Sequence, residues 1–252
     1  MASRTTSVLV LLVVLAGLGA PDDADARPKK TTRARRARIA STIDATTTAA
    51  YRYGAIEPEA CAAELTTRGV SFEREEEPAR GVLAPVRLTA PLRGVTFRTD
   101  QSEDARATSR WEVADCRLVL ALDDLAQILA RHGIVEVRHY SMWRPPSKRW
   151  PEDKQGTRHA GAMAIDVGRL IDADGVVLDV EDDFHGRIGA RTCGKDARPR
   201  KNTPAALRLR EILCEAVAAR LFNVVLTPNH NRAHRNHFHM EVTAGVRWFM
   251  VD

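Results

Sequence analysis

The apolar positions of this chain fall into two rhythms. The longest helical one runs from Val113 to Arg131, where Leu118, Ala121, Leu122, Leu125, Ile128 and Leu129 recur at helical spacing and Gly133 can stop the helix. A second helix is predicted over Pro204 to Leu221, with Thr203 as N-cap and Pro204 in the first turn. A third lies around Glu57 to Arg68, with Cys61 and Leu65 one turn apart and Gly69 suited to its C-terminal end. Strand-like runs cover Val86 to Thr89, Gly94 to Phe97, Ile134 to Tyr140 and Phe222 to Leu226. Leu170 to Val180 reads as a hairpin around Asp172-Ala-Asp-Gly175, which lacks the further ligands of a calcium loop. Residues 145–158 hold three Pro and many charges and form a loop, with Trp143 or Trp150 either walling a substrate or packed on the loop itself. This order predicts an α+β fold: a single domain with a central antiparallel sheet carrying a zinc site, flanked by helices.

Two stretches alternate with a period of two and carry chemistry on one face. In the first, Met163, Ile165 and Val167 share one face, and Ala162, Ala164 and Asp166 share the other. In the second, Phe238, Met240 and Val242 face the core, leaving His237, His239 and Glu241 on the opposite side. His159 is seven residues before Asp166. On one helix that spacing separates them by about 10 Å, and on one strand it puts them on opposite faces. The chain must therefore break between them, and Gly161 is the natural place. Two His and one Asp brought together in this way can bind one zinc and leave its fourth position open, as catalytic sites do.

The segment Thr157-Arg-His159-Ala-Gly161-Ala-Met-Ala164-Ile-Asp166 resembles the S-x-H-x-x-G-x-A-x-D signature of zinc peptidases of the lysostaphin, D-Ala-D-Ala peptidase and hedgehog group. Thr157 stands in place of Ser, and glycine is at 161 rather than 162. His237-Phe238-His239 resembles the second signature of that group. From about Cys61 to Val242 the chain is similar to the bacterial extensin-like C-terminal domain family, akin to penicillin-insensitive murein endopeptidase. The resemblance implies His159, Asp166 and His239 as zinc ligands and His237 as a catalytic-site residue. In the D-Ala-D-Ala branch a Glu three residues before the last ligand is the general base, and here that position is Asn236. His234 and His237 match the murein endopeptidase pattern H-x-x-H-F-H instead, so either ring can be the base. Ser141-Met-Trp-Arg144 resembles the S-x-Y-R segment, whose Arg contacts substrate or the developing oxyanion. The implied activity is hydrolysis of amide bonds in cell-wall peptidoglycan. The hedgehog signalling domains show that the same fold can instead be a non-catalytic binding module. Glu241, on the face of His239, is placed to orient that ring as a hydrogen-bond acceptor. An imidazole base puts the acid limb of activity nearer pH 6 than pH 4.

Composition places this chemistry outside the cytoplasm. Arg4 precedes an apolar run from Val8 to Leu15 that extends weakly to Ala20, and Ala24-Asp-Ala26 fits a cleavage site, with Ala20 as the alternative. The run is shorter than the roughly 20 residues that span a bilayer. The expected organisation is a signal peptide over 1–26, a basic disordered linker over 27–50 and the zinc peptidase-like domain over 51–252, in a periplasmic or secreted protein with no transmembrane span after cleavage. Loss of residues 1–26 removes one Arg and three Asp and raises the formal charge from +5 to +7. Arg27, Lys29, Lys30, Arg33, Arg35, Arg36 and Arg38 concentrate that charge and can attract anionic envelope polymers. Export makes nucleic acid a poor partner. Cys61, Cys116, Cys193 and Cys214 form no C-x-x-C pair, which argues against a thiolate metal site. An even number of cysteines in an oxidising compartment predicts two disulfides. Of three possible pairings, proximity along the chain favours Cys61–Cys116 and Cys193–Cys214.

Overall fold

The computed structural model describes residues 44–76, 79–151 and 153–252, which lie within one compact unit. The expected signal peptide and the basic segment 27–38 lie outside them. Of the expected linker only residues 44–50 are described, and these fold: Ala45–Thr47 form a 3-10 turn and Ala49 begins a helix, with Ala50 fully buried. The folded region therefore starts earlier than the sequence suggests.

In chain order the helices are α1 (Ala49–Ala55), α2 (Pro58–Thr67), α3 (Glu103–Ala107), α4 (Cys116–Arg131), α5 (Val180–Asp183) and α6 (Pro204–Ala218). The strands are β1 (Phe72–Arg74), β2 (Pro85–Leu88), β3 (Thr96–Arg98), β4 (Ala114–Asp115), β5 (Ile134–His139), β6 (Ala164–Asp172), β7 (Val177–Asp179), β8 (Val224–Leu226), β9 (Phe238–Glu241) and β10 (Met250–Val251). Among the described residues they make a small sheet, β1-β2-β4, and a large one in the order β10-β8-β9-β6-β5-β3, with β7 also paired to β6. The fold is α+β. The centre of the large sheet, β8-β9-β6-β5, is antiparallel, while β3 and β10 pair parallel at its two edges.

Local chemistry explains most boundaries. The Thr203 hydroxyl accepts from the Ala206 N–H at 3.1 Å, and Pro204 occupies the first turn where a missing N–H costs nothing. Gly69 takes a left-handed φ of 72° just past the end of α2. The helix expected from Val113 starts three residues later. Ala114 and Asp115 instead pair with β2, and the Asp115 carboxylate caps α4 by accepting from the Arg117 N–H at 3.0 Å. Asp172 ends β6 in a turn, accepting from the N–H groups of Asp174 and Val176.

The core lies on one face of the large sheet. Leu125 of α4 and Ile212 of α6 converge there with Val137, Val167, Phe238 and Met240 from three central strands. The alternation along β6 and β9 thus sends their apolar residues under the helices and leaves Asp166, His239 and Glu241 on the other face. Two disulfides staple the periphery, Cys61–Cys116 joining α2 to α4 and Cys193–Cys214 joining a loop to α6. No helix among the described residues is long and apolar enough to cross a membrane.

Candidate metal centre

Asp166 and His239 sit directly opposite each other in the β6–β9 ladder, on the face away from the helices. His159 reaches them from a separate turn, Arg158–Gly161. The break expected at Gly161 is present, but its left-handed residue is Ala162, with φ 51°, and the strand begins at Ala164. Gly161 serves a different purpose. A Cβ there would lie 2.2 Å from the carbonyl oxygen of Gly156, and one on Gly156 would lie 2.4 Å from the Ala160 carbonyl carbon. Only bare backbone fits at this crossing, and the crossing holds the His159 turn down. The Asp115 N–H, donating to the Ala162 carbonyl at 3.0 Å, ties the same turn to the start of α4.

Three atoms converge. His159 Nε2 lies 3.0 Å from Asp166 Oδ1 and 3.2 Å from His239 Nδ1, and the last two are 2.9 Å apart. All three residues are buried. The far side of each ring is engaged: His159 Nδ1 donates to the Met142 carbonyl at 3.0 Å, and His239 Nε2 donates to Glu241 Oε2 at 3.3 Å. Those bonds place the ring protons outside and the lone pairs inside. Two imidazole lone pairs and a carboxylate oxygen facing one another repel unless a cation lies between them. Donors of a tetrahedral zinc with about 2.0–2.1 Å bonds stand about 3.3–3.4 Å apart, so a shift of a few tenths of an ångström would admit the ion. Among the described residues this is the group of His, Cys, Asp or Glu that can hold a metal.

The charges respond to this crowding. Burial opposes ionisation of Asp166, but hydrogen bonds from His159 and His239, and the charge on the neighbouring rings, hold its carboxyl far below the usual range. Burial would also depress His239, yet its bonds to Asp166 and Glu241 raise it, so without a metal a proton is the cation it attracts. Glu241 is desolvated but is held low by His239 and Thr243.

The remaining expected residues surround the three. His237 Nε2 is 3.4 Å from Asp166 Oδ1. The His234 ring centre lies 5.1 Å from that of His237 and 5.9 Å from that of His239. Burial, followed by the charges of His237, His239 and His230, pushes His234 down to about 4. Burial also lowers His237, against the pull of Asp166. Arg144 donates through Nη2 to Asp166 Oδ2 at 2.9 Å while 55% of its side chain stays exposed. Trp150 packs on its own loop, donating to the Lys154 carbonyl at 2.7 Å with the Lys154 ammonium over its ring.

The profile of the family described as extensin-like protein C-terminus matches residues 59–250. The chain belongs to that family. Neither curated proteins nor solved structures gave a match. The extensin-like region spans α2 to β10 and encloses the three converging residues, Arg144, both outlying histidines and both disulfides. Several residues that shape the site of this extensin-like domain carry no motif. Asn231 accepts from His234 Nδ1 at 2.9 Å, and Asn236 Oδ1 accepts from His237 Nδ1 at 2.9 Å. Tyr140 meets His237 edge-on at 5.9 Å. A signal for Tyr140 was present: Gly168, two residues beyond Asp166 and on its face, has no Cβ because one would lie 3.1 Å from the Tyr140 phenol.

Proposed function

We propose that this extensin-like domain is an exported zinc metallopeptidase that hydrolyses amide bonds in peptidoglycan peptides. The observation that carries the reading is the convergence of His159 Nε2, Asp166 Oδ1 and His239 Nδ1, with both rings pinned from behind. A bound zinc would supply Lewis acidity toward a peptide carbonyl and acidify water toward ~7. The chain's own groups do the rest. His237 takes a proton at Nε2, the ring atom facing Asp166, and returns it to the leaving amine. His234 can share that task, and its depressed pKa keeps it neutral and receptive in the metal-free cluster. Arg144 spends one N–H on Asp166, which keeps the carboxylate turned, and its exposed edge carries further donors for a developing oxyanion. The likeness of the sequence signatures to those of murein endopeptidases supports the substrate class. Two disulfides support an oxidising compartment, periplasmic or secreted.

A second reading is a metal-containing module that binds cell-wall material or protein without cutting it. Asn236 favours it, because an amide at that position cannot take up a proton at neutral pH. One experiment addresses both readings. Metal content of the purified chain is measured, and murein fragments are incubated with it and analysed by mass spectrometry. One zinc per chain, lost in His239→Ala, together with release of peptides supports the peptidase. Zinc with retention of murein and no released peptide supports the binding module. Stoichiometric zinc in His239→Ala overturns the ligand set.

A further inference from the structure

We infer that Asn236 sets the tautomer of His237, and that Tyr140 holds the Asn236 amide the right way round for it. The inference rests on the reading of His237 as the proton carrier. Tyr140 has one phenolic proton, and its hydroxyl donates to the backbone carbonyl of Asn236 at 3.4 Å. The phenol oxygen is then left to accept, and it does so from Asn236 Nδ2 at 3.3 Å. With Nδ2 committed to Tyr140, the amide oxygen is the atom that faces His237, 2.9 Å from Nδ1. An acceptor there requires the proton of the neutral ring to sit on Nδ1. The lone pair is therefore on Nε2, the atom 3.4 Å from Asp166 Oδ1 on the side of the converging ligand atoms. The opposite tautomer would point an N–H into the site and leave nothing to take up a proton.

Tyr140 is itself fixed by the strand that carries Asp166. Its N–H donates to the Asp166 carbonyl at 2.9 Å, and its ring lies over Gly168, where a Cβ would come within 3.1 Å of Cζ and Oη. The chain Gly168–Tyr140–Asn236–His237 thus links the backbone beside a ligand to the proton position of a ring next to it. Asn236 acts through His237 and is a positioning residue.

The test reads tautomers directly. The full chain is labelled with 15N-histidine, and long-range 1H–15N correlations are recorded with and without added zinc, at a pH where the rings are neutral. His237 is expected as the Nδ1–H form, Asn236→Leu is expected to convert it to Nε2–H, and Asn236→Asp, which keeps an acceptor, to restore Nδ1–H. Tyr140→Phe, a change at an exposed side chain, is expected to give a mixture because the amide can turn. On the peptidase reading, Asn236→Leu lowers kcat by ~100-fold, the usual worth of proton transfer, with KM and zinc content unchanged. An Nε2–H ring in the wild-type chain, or Nδ1–H persisting in Asn236→Leu, overturns the inference. An unchanged ring in Tyr140→Phe overturns the part given to Tyr140. If no murein peptide is released by any variant while the tautomer still follows residue 236, the positioning role stands and the peptidase reading falls.

Discussion

A ring nitrogen can serve a metal or a proton only when its lone pair faces the right way, and in this site oxygen atoms behind the rings decide that. Met142 and Glu241 turn His159 and His239 inward, and Asn231 and Asn236 do the same for His234 and His237. The spacing of the histidines is legible in the sequence. Their acceptors are not, because a backbone carbonyl and two asparagines follow no pattern. The pH dependence of hydrolysis follows from the same surroundings. Burial lowers the pKa of His237 despite the nearby Asp166 carboxylate, and a metal cation would push in the same direction. A base must be neutral to work, so a lowered pKa extends activity on the acid side. The acid limb of kcat/KM should therefore fall below the ~6.5 of an ordinary imidazole. His237→Ala should keep its metal, lose ~100-fold or more in kcat and lose that limb. Near-normal turnover after replacing both His237 and His234 by Ala would send the search to a carboxylate such as Glu241.

Strands β6 and β9 are readable because a two-residue period leaves one apolar face and one chemical face, and their register follows from burying Val167, Phe238 and Met240 together. The turn that delivers His159 is only half readable. The sequence calls for a break near Gly161 but cannot show that Gly161 crosses Gly156 at bare-backbone distance, since that contact joins residues with no periodic relation. Nor do the two β-prone runs at Val86 and Gly94 announce that β2 and β3 enter different sheets, which depends on long-range pairing with β4 and β5. The crossing makes a prediction at this scale. Gly161→Ala should destabilise the fold by ~1–3 kcal/mol, the usual cost of overpacking, and weaken metal binding because His159 must move with its turn. Gly175 is the control: it is left-handed at φ 79°, and a Cβ added there would meet nothing within 4 Å, so Ala should cost only the ~1–2 kcal/mol of that conformation and leave metal affinity unchanged. Chelator competition on both variants decides it, and equal metal affinities would remove the crossing from the design of the site.

Over the whole chain, stability rests on a sheet core and on links between distant segments, and two of those links can be ranked in advance. Glu112 accepts from the Thr99 N–H and hydroxyl and faces His139 of β5. Burial opposes its ionisation, yet these partners lower it from 4.5 to about 2. A depressed carboxyl stabilises the fold above its unfolded pKa and loses that effect as pH falls through the folded one, so its contribution of about 3 kcal/mol should fade between pH ~5 and pH ~2. The urea stability of the wild type relative to Glu112→Gln should shrink over that window, and a constant difference would reject the assignment. The disulfides act on the unfolded chain instead. Cys61–Cys116 closes a separation of 55 residues and Cys193–Cys214 one of 21. The entropy removed from the unfolded state grows with loop length, giving about 4 kcal/mol for the longer loop and about 3 kcal/mol for the shorter. The two loops do not overlap in sequence, so the losses should add. Urea unfolding of the two paired Cys→Ala variants, and of the variant lacking all four, measures each loss. The Cys61/Cys116 variant should be the less stable of the two by roughly 1 kcal/mol. A reversed order would mean that the Cys193–Cys214 bond stabilises the native loop beside α6 directly, rather than by restricting the unfolded chain.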